Sequence, residues 1–345
     1  MLAVAVIEPN RIDIVDIPEP QPRPYEAKIR TEIACICNLT DRKLVEGHFP
    51  GVDTYPLLLG HETVGIVEAV GDKVRSFKVG DRVIGGLLLN PTDTAYGSGW
   101  GGFAAYTLAG DHQALIEDGM ATAENGWYEV SEIMRVVPPD IAIEDTVMLC
   151  TWREVYSAFD DFQLWDGDSI IIYGDGPVGL SFVKFARLLG LDGVYLIGKH
   201  PDKLQKAMGM GATAAYTIDD PEAARLVEHH GRKFDAVIDA VGKEDIINAA
   251  LPLIKLGGSV CVYGAVGRPA INLQIGAGPF NFNLLMHQWP SRFRERAAQE
   301  PLIALIREGK LSYTEFVSAE FPVQQVAEAF AHSKATSPIK TLLRY

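Results

Sequence analysis

Ser169-Ile170-Ile171-Ile172-Tyr173-Gly174-Asp175-Gly176-Pro177-Val178-Gly179 is the stretch that decides the fold of this chain. The run up to Tyr173 is short and continuously apolar, as in a strand covered on both faces of a parallel sheet. The glycines then fall as Gly-x-Gly-x-x-Gly. A helix-like segment follows to Leu189 and is closed by Gly190. In this strand-to-helix setting the spacing has a physical meaning. Gly174 permits the tight turn, Gly176 lets a pyrophosphate approach the backbone, and Gly179 lets helix and strand pack closely. Gly174, Gly176, Pro177, Val178 and Gly179 therefore form a candidate dinucleotide cradle. A glycine-rich turn without a ligand would not require that context.

The same alternation continues outward. Val194 to Ile197 reads as a strand, Pro201 to Met208 as a helix, and Phe234 to Asp239 as a strand. Gly257-Gly258 precedes another strand, Ser259 to Gly264. Strand and helix alternate as in a doubly wound α/β domain. Ala240, Val241 and Gly264, at strand ends, join the candidate cofactor-binding set. The second strand normally ends in an acid that binds the ribose 2′-hydroxyl. Here it runs into Gly198-Lys199-His200-Pro201, with no carboxylate in sequence. A small, cationic corner suits a 2′-phosphate, so Gly198, Lys199 and His200 favour NADP. NAD stays open, because Lys199 can equally face solvent.

Before about Asp168 the chain reads as β-rich. Residues 27–33 and 64–71 alternate like half-exposed strands, and Gly80-Asp81 is a turn before Arg82-Val83-Ile84. Pro18, Pro20, Pro22 and Pro24 mark an extended connection. After about Pro279 the α/β repeat stops, and the tail from Phe321 is expected to return to the first part. Residues 107–137 read as a surface hairpin, with a lid carrying Trp127 and Tyr128 as the alternative.

Composition narrows the function classes. With 345 residues the chain is long enough for two domains. Its net charge of −14 gives nucleic-acid binding no electrostatic support. No apolar stretch is long enough to span a bilayer, and the N-terminal run meets Glu8 without a basic region. Four cysteines in such a chain do not make a disulfide framework. Thiolate ligands need a reducing compartment, so the cytoplasm is the expected location.

Cys37, Gly60-His61-Glu62 and Cys150 carry the other chemistry. Each type of side chain is a zinc ligand, and three protein ligands with one open position is the pattern of a catalytic zinc. Cys37 is followed by Asn38-Leu39-Thr40-Asp41, a polar helix start. His61 and Glu62 are a polar pair after the apolar run Pro56 to Leu59. Cys150 follows Val147-Met148-Leu149 and would by itself pass as core. Cys35 and Cys261 sit in strand-like apolar runs and are read as structural.

Taken in order, these segments resemble the medium-chain, zinc-dependent alcohol and polyol dehydrogenases. The matching stretches are Cys37 to Asp41, Gly60 to Gly65, Val79 to Val83, Gly101 to Tyr106, Cys150 before Tyr156, the glycine fingerprint, Phe234 to Gly242, and Gly257 to Gly264. The resemblance implies a GroES-like β-rich catalytic domain from residues 1–155 and 286–345, and a doubly wound Rossmann domain from 156–285. It implies one catalytic zinc on Cys37, His61 and Cys150, with Glu62 as alternate ligand. Thr40 would be the proton relay and Asp41 would orient His61. Three departures stand out. Residues 85–102 contain no cysteine, so no structural zinc is expected. Two residues, Asn38-Leu39, separate Cys37 from Thr40 where one is usual. Lys43 stands where relatives often carry a histidine.

The implied activity is hydride transfer between NAD(P) and a secondary alcohol or ketone, with a polyol or sugar-like substrate. Trp152, Met286 and His287 are candidate pocket residues. The expected assembly is a homodimer or homotetramer, with no nucleic-acid or membrane partner. Two rival readings are a zinc-free reductase of the same superfamily, acting on an activated double bond or quinone, and a non-catalytic nucleotide-binding redox sensor.

Overall fold

A computed structural model describes residues 1–91, 95–336 and 338–345. Residues 92–94, within the segment where no second zinc is expected, lie outside the described residues. The chain forms two compact units, Met1–Thr151 with Arg296–Tyr345, and Trp152–Glu295. The second unit thus extends at both ends beyond the expected 156–285. Local contacts explain the C-terminal extension. Strand Asn283–Met286 pairs in parallel with Ile254–Val262, and Arg294 and the Ser291 hydroxyl both bind the Asp161 carboxylate. Among the described residues no helix is long and apolar enough to cross a membrane.

The second unit is built on one parallel sheet. Its six strands are Ser169–Tyr173, Gly193–Gly198, Ala214–Thr217, Phe234–Asp239, Ile254–Val262 and Asn283–Met286. Across the sheet they run third, second, first, fourth, fifth, sixth, the order of a dinucleotide-binding doubly wound fold. The apolar reading of the first strand holds, since Ile170, Ile171 and Ile172 are fully buried. Ligands in such sheets bind beyond the carboxyl ends of the strands, where the order reverses. That point is the end of Ser169–Tyr173, so the glycine fingerprint lies at the reversal.

The first unit is β-rich, as expected. Strand Glu26–Ile36 pairs antiparallel with Glu62–Val70, with Tyr106–Gly110 and with the C-terminal strand Lys340–Arg344. Its alternation is visible in burial: Ala27, Ile29 and Ile33 are inside, while Arg30 is exposed. The pairing of Thr341 to Arg344 with Ile33 to Ile36 returns the tail to this unit. A core cluster of Val4, Ala34, Leu44, Leu59, Phe103 and Leu343 ties the N-terminal strand, the central strand and the tail together.

Residues 107–137 are not the expected hairpin. Strand Tyr106–Gly110 is followed by helix His112–Glu117, two short 3-10 turns and strand Arg135–Val136. The Asp111 side chain caps the helix by accepting the Ala114 N–H at 3.0 Å, a start signal followed by the helix formers Gln113, Ala114 and Leu115. Trp127 packs against Tyr25, Ala114 and Leu115, and its indole N–H donates to His112 Nδ1 at 3.0 Å. Its ring is thereby committed to this local packing.

Candidate metal and nucleotide sites

Cys37 follows the end of the central strand, and His61 precedes the strand paired with it; Cys35 opposes Glu62 in that register. Gly60 makes the turn into His61. Its φ of +101° is in glycine's left-handed region, and a Cβ there would lie 2.2 Å from the Phe103 ring. The pairing brings one donor atom each from Cys37, His61 and Glu62 within 4.8 Å of one another. His61 Nε2 lies 3.9 Å from Glu62 Oε1, and Nδ1 lies 3.1 Å from Asp41 Oδ1. The second contact is an ion-pair approach without hydrogen-bond alignment, and both atoms are buried without a hydrogen-bond partner. Burial pushes the imidazolium of His61 down, but the Asp41 carboxylate and the Cys37 sulfur outweigh it and hold the ring well above its ordinary value. A cation binding at that ring must displace the proton.

Asp41 is fully buried, at the first turn of helix Thr40–Glu46. Its Oδ2 accepts the Cys37 amide N–H at 2.8 Å, so one carboxylate fixes the loop carrying the sulfur and faces the imidazole. The extra residue between Cys37 and Thr40 is absorbed by Asn38. Its side chain donates to the carbonyls of Pro338 and Ile339, each at 3.0 Å, and accepts from the Ser333 hydroxyl. This leaves Cys37 as the donor. A cavity of about 390 Å³ reaches Cys37 and is also lined by Asn38, Arg11, Arg42, Phe330 and Lys334.

Glu62 has partners that sequence reading missed. Lys340 Nζ donates to both carboxylate oxygens, at 2.7 and 2.6 Å, and the Thr151 hydroxyl donates to Oε2 at 3.2 Å. Burial pushes the Lys340 ammonium down; Cys35 and Glu62 reverse this and hold it above the ordinary range. The available signal was a lysine inside the apolar strand Ile339-Lys340-Thr341-Leu342. Cys150 is buried on helix Ile143–Asp161, next to Thr151, and lies outside the trio of Cys37, His61 and Glu62. Trp100 was also missed. Its ring is 5.5 Å from that of His61 and meets Phe49 edge-on. Of the expected pocket residues, Trp152 is fully buried, Met286 is half-exposed on an edge strand, and His287 meets Phe162 edge-on.

The fingerprint in the second unit has the predicted shape. A Cβ at Gly179 would lie 1.8 Å from the Gly174 carbonyl oxygen, whereas one at Gly176 would meet nothing within 4 Å. Gly179 is fixed by packing, and Gly176 faces open space. Pro177 starts the helix Pro177–Leu188, whose first N–H groups point out of its N-terminus. Val241 and Ala240 stand against Gly174, and Gly264 packs against the backbone of Val241 and Gly242. One expectation is corrected. The corner at Gly198-Lys199-His200 is not free of carboxylates, because Asp175 folds back into it. Asp175 Oδ2 accepts the amide N–H groups of Lys199 and His200, both at 2.6 Å.

Comparison with known proteins agrees with this architecture. The alcohol dehydrogenase GroES-like domain model matches residues 23–117, and the zinc-binding dehydrogenase model matches 177–289. A sorbitol dehydrogenase of Bombyx mori is 26% identical over 97% of this chain and 95% of its own length. An alcohol dehydrogenase of Cupriavidus necator is 25% identical over 96% and 94%. An alcohol dehydrogenase of Escherichia coli CFT073, solved with NADH, superposes with a TM-score of 0.80 at 21% identity, covering 100% of this chain and 99% of that one. The chain belongs to the medium-chain, zinc-type alcohol and polyol dehydrogenase family.

Proposed function

We propose that this protein is a zinc-dependent oxidoreductase that transfers a hydride between a nicotinamide cofactor and a secondary alcohol or ketone, with a polyol or sugar-like compound as substrate. The observation that carries the reading is the convergence of Cys37, His61 and Glu62 donor atoms within 4.8 Å beside buried Asp41. The donor set fits zinc: a thiolate and an imidazole, with a carboxylate behind the imidazole. Both Glu62 oxygens are held by Lys340, an ammonium that opposes a nearby metal charge. We assign one zinc to Cys37, His61 and Cys150, with Glu62 as the alternate ligand; Cys150, outside the trio, is assigned from the order of ligand types along the chain.

Zinc held there supplies Lewis acidity to the substrate oxygen, and a bound nicotinamide supplies the hydride acceptor or donor. The chain's own residues do the rest. Asp41 fixes the Cys37 loop by accepting its amide N–H, and its other oxygen sets a negative charge 3.1 Å from His61 Nδ1, towards which the ring would turn once a cation takes Nε2. Thr40, half-buried at the start of the helix after Cys37, accepts the substrate hydroxyl proton at Oγ1 while releasing its own hydroxyl proton towards solvent. Trp100 and Phe49 offer an apolar wall beside His61 for the carbon skeleton. Gly176 leaves the fingerprint backbone open to a pyrophosphate. Thiolate ligands suit a reducing compartment, so the cytoplasm is the proposed location, and a homodimer or homotetramer the proposed assembly.

Elemental analysis with a turnover screen on polyols, sugars and simple secondary alcohols tests the reading. One zinc per chain and turnover of a secondary alcohol are expected. Cys37→Ala should lose the metal and several orders of magnitude in kcat while nucleotide binding survives. Two zincs per chain, or a Cys37→Ala protein with full metal and activity, would overturn it.

A further inference from the structure

The acid that commonly reads the adenosine ribose stands at the end of the second strand of such a domain. In this chain that position is Gly198, the last residue of strand Gly193–Gly198. The corner nevertheless contains a carboxylate, contributed by the residue between the first two glycines of the fingerprint. Asp175 is 7% exposed. Its Oδ2 accepts the Lys199 and His200 amide N–H groups, and His200 Nδ1 lies 3.0 Å from Oδ2 and 3.1 Å from Oδ1.

Gly198 and Asp175 are sterically linked. A Cβ on residue 198 would lie 2.6 Å from both Cβ and Oδ2 of Asp175. An acid at the strand end and this placement of Asp175 therefore exclude each other. In this chain the corner's carboxylate comes from the fingerprint turn and not from the strand end. Burial pushes the Asp175 carboxyl up, but the two amides and His200 outweigh it and hold it below its ordinary range. It is thus ionised at neutral pH. The Lys199 side chain, by contrast, is exposed. The two amides ahead of helix Pro201–Gly209 would be natural donors to a phosphate, but here an internal anion already occupies them.

We propose that Asp175 is the residue that sets cofactor choice, accepting from the ribose 2′-hydroxyl and repelling a 2′-phosphate, so that the protein selects NAD(H) over NADP(H). This rests on the nucleotide-binding part of the function proposed above. It also reverses the preference suggested by Gly198-Lys199-His200 in sequence. Those residues make a phosphate-binding corner only if nothing else fills it. A carboxylate that already takes both amides denies those donors to a second anion and sets a like charge next to it.

The test is a binding titration of the zinc-loaded protein with NADH and with NADPH, without substrate, followed by nucleotide fluorescence. The parent should bind NADH at least about tenfold more tightly. Asp175→Asn removes the charge at constant size, and Asp175→Ser also frees the two amides. Each should lower the NADH-to-NADPH affinity ratio by roughly 10- to 100-fold, the scale of one charge-assisted contact. The Ser variant should gain most in NADPH affinity. A parent that prefers NADPH overturns the proposal even if neither variant folds. Folded variants that keep the parent ratio within about twofold overturn it as well, since a shift below 0.5 kcal/mol is smaller than any such contact. Failure of the parent to bind either nucleotide would instead overturn the nucleotide-binding reading on which the proposal rests.

Discussion

Replacing Lys340 by methionine removes the ammonium from Glu62 at nearly constant volume. Lys340 is 1% exposed and Glu62 5%, so water cannot take the place of the lost partner. Among the described residues the Thr151 hydroxyl, at 3.2 Å, remains as hydrogen-bond donor to the carboxylate, with His61 Nε2 further off at 3.9 Å. Breaking a buried pair from one side costs about 3–5 kcal/mol, because a charge is left buried without its close partner. At roughly 2–4 °C per kcal/mol for a unit of this size, Tm should fall by about 6–20 °C. Replacing both residues, Glu62→Leu with Lys340→Met, should recover most of that loss, since an apolar pair of similar volume often matches a buried ion pair. The pH sign follows from the raised folded value of Lys340. Its contribution is fully present below the unfolded lysine value of about 10.4 and disappears only as pH rises through the folded one. The difference between parent and Lys340→Met should therefore be flat from neutral pH to about 10. Calorimetric melts of the parent, both single variants and the double variant measure all of this. A Lys340→Met protein within about 1 kcal/mol of the parent, the range of an exposed pair, would refute the reasoning. So would a double variant that loses the sum of the single losses.

Two further outcomes follow from the sites. Thr40→Val should slow turnover by about 10²–10⁴ and alter the pH–rate profile while zinc content stays at the parent level; an unchanged kcat and profile would remove Thr40 from the proton path. Gly176→Val should abolish nucleotide binding but leave the melting profile close to the parent, because its Cβ would meet nothing within 4 Å. Gly179→Val should instead destabilise the second unit, since its Cβ would lie 1.8 Å from the Gly174 carbonyl oxygen; equal behaviour of the two variants in melts would contradict the packing argument.

What the sequence disclosed about these sites was the part written in local chemistry. The glycine spacing of the fingerprint is dictated by neighbouring backbone, so it could be read without knowing the rest of the fold. The apolar runs of the nucleotide-binding sheet are similar, because a strand covered on both faces has little choice of residue. The helix at His112–Glu117 was local as well, written in the cap Asp111 and in the helix formers Gln113, Ala114, Leu115 and Glu117, but it is only six residues long. Asp175 and Lys340 were not legible for another reason. Asp175 reaches residues 24 and 25 positions ahead, and Lys340 reaches 278 positions back. A charged side chain declares its type in a sequence but not its partner. In both cases the partner inverts the local reading: a corner that looks cationic holds a carboxylate, and an acid that looks free to bind metal is held by an ammonium.

The tail of the chain shows how far this matters for the metal site. Asn38, the residue that made the Cys37–Thr40 spacing irregular, is anchored on the carbonyls of Pro338 and Ile339. Glu62, the acid beside His61, is anchored on the next residue, Lys340. These two features of the ligand region therefore share one support, three consecutive residues leading into the C-terminal strand Lys340–Arg344. That strand is paired with Ile33 to Ile36, the residues leading directly to Cys37. The same pairing that closes the β-rich core thus sets the position of Cys37 and the charge next to His61. A change in the tail that weakens the strand should disturb the metal site together with the core, even though none of its residues is a ligand in the assignment.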